Sequence, residues 1–205
     1  MNTPFSLHRR QRGSELIEFA LVSALLFPLL FGTFVVGMNL GRSIQVSQVS
    51  RDAGHLYARS VDFSDPANQQ VIVRLAQGLN MTVAGGNGVV ILSTVTFIGQ
   101  PQCDGAALSP ADCTNLNYTV FTHRVVVGNS SLRVSAFGTP DSGLVQSNGD
   151  VTNYLTDAST RADGFSAVLV LQPGELAYVS EAYFSSPDYA MPGYPATGVY
   201  TRTVF

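Results

Sequence analysis

From Phe19 to Gly41 the chain carries no charged residue, a run of 23 positions. At a helical rise of about 1.5 Å per residue that run reaches roughly 34 Å, enough to cross a hydrocarbon core of about 30 Å. Beyond Arg42 the pattern turns amphipathic: Ile44, Val49, Ala53, Leu56 and Tyr57 recur at helical spacings between Ser, Gln and Arg residues. One long helix is therefore expected over residues 14–62, membrane-spanning at 19–41 and amphipathic at 42–62. Ser64-Asp65-Pro66 reads as the start of a second, short helix, a capping side chain followed by proline. Its apolar side would be Val71, Ile72, Leu75, Ala76 and Leu79, and Gly85-Gly86-Asn87-Gly88 would then turn the chain.

After residue 88 the period shortens. Segments 89–98, 118–127, 132–137, 166–172, 177–184 and 199–205 are rich in β-branched and aromatic residues and read as strands. The first two would form an antiparallel hairpin. Gln172-Pro173-Gly174-Glu175 would turn a second one. Residues 138–163 and 185–197 are polar or rich in Pro and Gly and read as surface loops. A long helix followed by strands gives an α+β fold, with an antiparallel sheet covering the amphipathic half of the helix. The domain organisation expected is a leader at 1–13, the helix at 14–62 and a head at 63–205.

Charge sets the orientation. Arg9, Arg10 and Arg12 precede the apolar run and only Arg42 and Arg51 follow closely, so the N-terminus is expected in the cytoplasm and the head outside. The apolar run is too long for a secretory signal, and no small-residue cleavage site follows it. An ordinary signal anchor would satisfy these features. It would have no physical need for a carboxylate, Glu18, at the edge of the spanning segment, where an ionisable group is costly and tends to be functional.

The junction Arg9-Arg10-Gln11-Arg12-Gly13-Ser14-Glu15-Leu16-Ile17-Glu18 resembles the processing site of type IV-like prepilins: a basic leader, glycine, then glutamate as the fifth residue of the mature chain. The core Ile17-Glu18-Phe19-Ala20-Leu21, the small first residue Ser14, and Pro28 and Gly32 within the helix are similar to the TadE-like pseudopilins of tight-adherence (Tad, Flp) pilus systems. This resemblance covers the first fifth of the chain. It implies removal of residues 1–13 by a prepilin peptidase cutting between Gly13 and Ser14, and pairing of the new N-terminus with Glu18. The partners it implies are other pilin subunits through the N-terminal helix, an inner-membrane assembly platform and membrane lipid. The location implied is the bacterial inner membrane, with possible incorporation into an extracellular pilus.

Three function classes follow. The first is a minor pilin that initiates, caps or regulates a Tad-type pilus used in adhesion. The second is a single-pass, signal-anchored envelope protein whose head binds a partner. The third is a pseudopilin of a related secretion system. The Ser14 start and the 17–21 core favour the first over the third.

The remaining chemistry is spare. Cys103 and Cys113 lie in a turn-rich stretch, and in an oxidising compartment outside the membrane they are expected to pair. Closing so short a loop contributes about 2–3 kcal/mol. A metal site is the poorer reading, since no second Cys pair or nearby His completes it. His8, His55 and His123 meet no nucleophile or orienting acid, and Gly164-Phe165-Ser166-Ala167-Val168 lacks the second glycine of a nucleophile elbow. The stretch from Asp157 to Gly164 places Arg161 where a calcium ligand would be wanted. The expectation is no enzyme, no cofactor and no metal. With the leader removed, eight basic and fourteen acidic residues remain, a net charge of −6 that argues against nucleic-acid binding. Seven aromatics of the C-terminal part, Tyr178, Tyr183, Phe184, Tyr189, Tyr194, Tyr200 and Phe205, are read as core rather than as an adhesive surface.

Overall fold

A computed structural model describes residues 11–185 and 198–205. The fold is α+β: a long apolar N-terminal helix and an antiparallel sheet. The chain divides into two compact units, residues 1–41 and 42–205. The first, where described, is helix: α1 runs over Gln11–Ala58 and contains Pro28. Between Leu16 and Leu40 its large apolar side chains are exposed, Leu25 at 72 % and Phe19 at 70 %. The stretch is long and apolar enough to cross a membrane, with a mean hydropathy of 2.4 in its most apolar window.

Within the second unit, the last four turns of α1 bury a row at helical spacing: Val46, Val49, Ser50, Ala53 and Tyr57. The row differs from the sequence pattern at two places: Ile44 is 52 % exposed and Val46 takes the inward place, while Ser50 is buried and Leu56 only partly so. The short helix α2, Pro66–Leu75, starts on Asp65, whose carboxylate accepts from the Ala67 N–H at 2.8 Å. Ile72 is fully buried, and the helix ends four residues before Leu79.

The strands are β1 (Met81–Thr82), β2 (Gly85–Gly86), β3 (Gly88–Phe97), β4 (Thr119–Gly128), β5 (Leu176–Phe184) and β6 (Val199–Val204). A six-residue helix α3, Gln100–Gly105, lies in the β3–β4 connection. The first two strands form a small ribbon turned at Val83-Ala84, so Gly85-Gly86 is a strand and not the expected turn. Gly86 has φ +86° and its α-carbon faces the Asn80 carbonyl, a place without room for a side chain. The main sheet is antiparallel with order β4-β3-β5-β6 and one register shift in β3/β4 at Thr94/Val95.

Alternation along the sheet gives it two buried faces. Val90, Leu92, Val125, Val127, Ala182 and Phe184 meet α1 and α2 together with Phe63 and Ile72. Val95, Phe121, Ala177 and Val179 meet Phe137, Val151, Ala162, Phe165 and Leu171 from the long connection between β4 and β5. That connection overturns three expectations. Residues 138–163 are not merely surface loop, because Val151, Thr160 and Ala162 are buried in it. Residues 132–137 form a strap and not a strand, held by hydrogen bonds to the Glu181 carboxylate rather than by a ladder. Residues 166–172 are no strand either: a 3₁₀ turn at Phe165–Ala167 leads into an irregular stretch, and Pro173 bridges to Phe97 in place of a second hairpin. A buried Phe side chain contributes about 1.5–3 kcal/mol relative to exposure, so Phe137 and Phe165, stacked edge to face at 5.2 Å, give this coil a core of its own.

Candidate functional site

The junction marked by sequence lies at the start of α1. Gly13 and Ser14 have helical backbone, and Glu18, one turn beyond Ser14, is exposed. The leader residues 1–10, including Arg9 and Arg10, lie outside the described residues, as do Tyr189 and Tyr194.

Cys103 and Cys113 form a disulfide with Cα atoms 5.9 Å apart. Both are buried, with Ile98 and Val120 against them. Asn115, fully buried, ties this loop to the next: its amide donates to the carbonyls of Tyr154 at 2.9 Å and Asp157 at 2.6 Å. Arg161 donates to the Asn115 side-chain oxygen at 2.8 Å and to the Thr114 carbonyl at 2.8 Å, and stacks on Tyr118. The residue that spoiled the calcium pattern is thus a staple between loops. Among the described residues no cluster of His, Cys, Asp and Glu is placed to hold a metal.

Tyr57 joins α1 to the sheet. Its hydroxyl lies 2.8 Å from Thr94 Oγ1 and 2.7 Å from His123 Nδ1, and His123 Nε2 lies 2.9 Å from the Asn148 carbonyl. Since that carbonyl only accepts, Nε2 carries a proton; in the neutral imidazole Nδ1 then accepts from Tyr57 and Thr94 donates to Tyr57. Burial pushes the Tyr57 phenol well above its ordinary value. His55 stacks on Phe205 at 4.5 Å.

Glu181 is the buried acid of the head. It accepts from Ser135 Oγ, from the Ala136 N–H at 2.8 Å and from the Tyr200 hydroxyl at 2.6 Å. Burial and then this bond to Glu181 push the Tyr200 phenol up. Burial lowers the Arg124 guanidinium, against the pull of Glu181. Sequence pattern did not single out Glu181. Its signal was a lone acid between apolar and aromatic neighbours in a strand.

Residues 13–55 match the family model of TadE-like proteins. The N-terminal helix is TadE-like. The match spans about a fifth of the chain and contains the junction, Glu18 and most of α1. No curated protein and no solved structure matches the chain. The TadE-like match over residues 13–55 links the chain to Tad-pilus-associated proteins, and the apolar segment of α1 suits a membrane anchor.

Proposed function

We propose that this chain is a minor pilin of a Tad-type pilus, made as a membrane-anchored precursor and cut between Gly13 and Ser14. The observation that carries the reading is the TadE-like match, which starts on Gly13 and runs through Glu18 along α1. The precursor is held with Arg9, Arg10 and Arg12 in the cytoplasm and the head outside the inner membrane. The buried disulfide of the head supports that orientation, because disulfides persist in oxidising compartments.

Cleavage by a prepilin peptidase requires the Gly13–Ser14 bond in extended form, so the first turn of α1 must open. Glycine lowers that barrier, being about 1 kcal/mol poorer than alanine in a helix. The cut removes the basic leader and leaves an α-ammonium on Ser14. Glu18 stands one turn away, in the same chain or a neighbour, as its counter-charge. A buried charge left without its partner costs about 3–5 kcal/mol, which selects the stagger at which apolar helices pack even where the pair itself adds little. The helix thus engages other pilin subunits, lipid and the assembly platform. The head, too large for a filament's bulk repeat, serves to initiate, cap or regulate assembly for adhesion.

Mass-spectrometric sequencing of the N-terminus of membrane-extracted protein, with and without the peptidase, tests this. A peptidase-dependent start at Ser14 is expected. An intact Met1 start would leave a signal-anchored envelope protein instead.

A further inference from the structure

The main sheet has two edges, and the chain treats them differently. The outer edge of β4 is sealed by the long connection: the Arg124 N–H donates to the Gly149 carbonyl at 2.7 Å, the Val151 N–H to Thr122 at 2.9 Å and the Ala162 N–H to Thr119 at 2.8 Å. The other edge is β6. Tyr178 and Phe205 exchange hydrogen bonds in both directions, at 3.0 and 2.9 Å, so the backbone groups of Phe205 point into the sheet. Alternation in an antiparallel ladder then turns those of Thr203 and Thr201 inward and those of Val204, Arg202 and Tyr200 outward. Among the described residues no hydrogen bond uses these outward groups.

Two exposed cations flank that edge. The Arg133 guanidinium lies 4.0 Å from the Tyr200 ring centroid and 5.6 Å from that of Tyr183, and Arg202 lies 5.1 Å from that of Phe137. Among the described residues neither makes an ion pair. Glu181, the cross-strand neighbour of Arg202, already accepts from Ser135, Ala136 and Tyr200. An arginine stacked on an aromatic ring keeps its N–H fork free for a carboxylate. The patch is basic in a chain with fourteen acidic and eleven basic residues.

We propose that the β6 edge takes up an extended, acidic peptide segment of a partner protein as a fifth strand. Its backbone pairs with Tyr200, Arg202 and Val204, and carboxylates at alternate positions meet Arg133 and Arg202 on one face of the sheet. A second copy of this chain fits poorly, since β6 against β6 brings like charge to like charge. The inference stands on the head alone and does not depend on the pilin reading.

The test uses the full chain in detergent micelles. Amide exchange comes first: Tyr200, Arg202 and Val204 should exchange quickly while Thr201 and Thr203 are protected. Protection of the first three in the unliganded chain would mean that the edge is already covered, and would overturn the proposal. The probe is a capped peptide, Thr-Val-Glu-Val-Glu-Val-Thr, beside the same peptide with Lys for Glu and a form N-methylated on the strand-pairing amides. The Glu peptide should bind at least about tenfold tighter than the Lys peptide and slow exchange at the three outward amides. N-methylation should abolish binding. R202E should reverse the preference while leaving Thr201 and Thr203 protected, which shows that the strand is intact. Equal binding of the Glu and Lys peptides, or undiminished binding of the N-methylated form, would overturn strand addition.

Discussion

A carboxylate buried in a strand is costly unless hydrogen bonds fill its oxygens. Glu181, 2 % exposed, has them from Ser135, Ala136 and Tyr200, and so holds the strap at 132–137 against β5 and β6. In E181Q the amide nitrogen cannot accept, so at least one of the three donors loses its partner. We expect a loss of about 1–3 kcal/mol in urea unfolding of the full chain in detergent. Ser93 is the opposite case: its hydroxyl is buried and makes no hydrogen bond among the described residues. S93A removes an unsatisfied group and should be neutral or stabilising in the same assay. A clear loss there would reveal a partner for that hydroxyl. Tyr57 sets a pH dependence. Its phenol is raised in the folded chain by burial. The stabilisation it gives is therefore complete below the ordinary tyrosine value of about 10 and is lost as pH rises through the alkaline range. Y57F should lower stability near pH 7 by about 1–2 kcal/mol, through lost bonds to Thr94 and His123, yet flatten the alkaline fall. Urea midpoints between about pH 8 and 11 would show it. An equally steep fall in both chains would mean that the phenol ionises freely.

At the scale of elements, Gly54 governs how closely the end of α1 approaches the sheet. A β-carbon there would clash with Cε2 of the Phe205 ring and lie 2.9 Å from Ser180 Cβ. Ala is the better helix former by about 1 kcal/mol, while overpacking a close contact costs about 1–3 kcal/mol. The ring can turn aside, but Ser180 Cβ is fixed to β5, so overpacking should win. G54A is expected to lower thermal stability and release Phe205 from its stack on His55, visible as changed ring shifts. A more stable G54A chain would mean that α1 rides higher on the sheet than 2.9 Å implies. Elements with a period of their own were legible in sequence: α1 from its apolar run and amphipathic row, α2 from Asp65-Pro66, and β3, β4, β5 and β6 from β-branched alternation. The connection from Gly128 to Leu176 was not. Residues 132–137 and 166–172 have strand composition, but their partners are a carboxylate and a loop core, set by contacts distant in sequence. Propensity describes a residue's neighbours along the chain, and here the deciding neighbours were elsewhere. Of the candidate site residues, Gly13, Ser14 and Glu18 rest on linear spacing, and their proposed roles await the N-terminal sequencing described above. Glu181 and Tyr57 act through partners that only the folded head brings near.

For the whole molecule, the division between an apolar helix and a polar head separates recruitment from stability. The large apolar side chains that α1 exposes between Leu16 and Ile44 would, on the proposed reading, be covered by lipid or other helices. Glu18 lies inside that stretch, in the first compact unit, and the head has its own core in the second. E18A should therefore leave head stability unchanged. It should also leave cleavage at Gly13–Ser14 intact, if the peptidase reads the basic leader and the glycine. On the processing and assembly proposed above, the loss should fall on assembly: with the counter-charge gone, the Ser14 ammonium would be unpaired among apolar helices in the correct stagger, and that stagger would lose its advantage over others. An advantage of even 1.4 kcal/mol is about tenfold in population. The ratio of subunit in the sheared pilus fraction to subunit in the membrane should then drop at least that far, with the mature N-terminus still found in the membrane pool. E18D, shorter by one methylene, should recover part of the loss. Incorporation of E18A at the parental ratio would show that apolar packing alone sets the stagger.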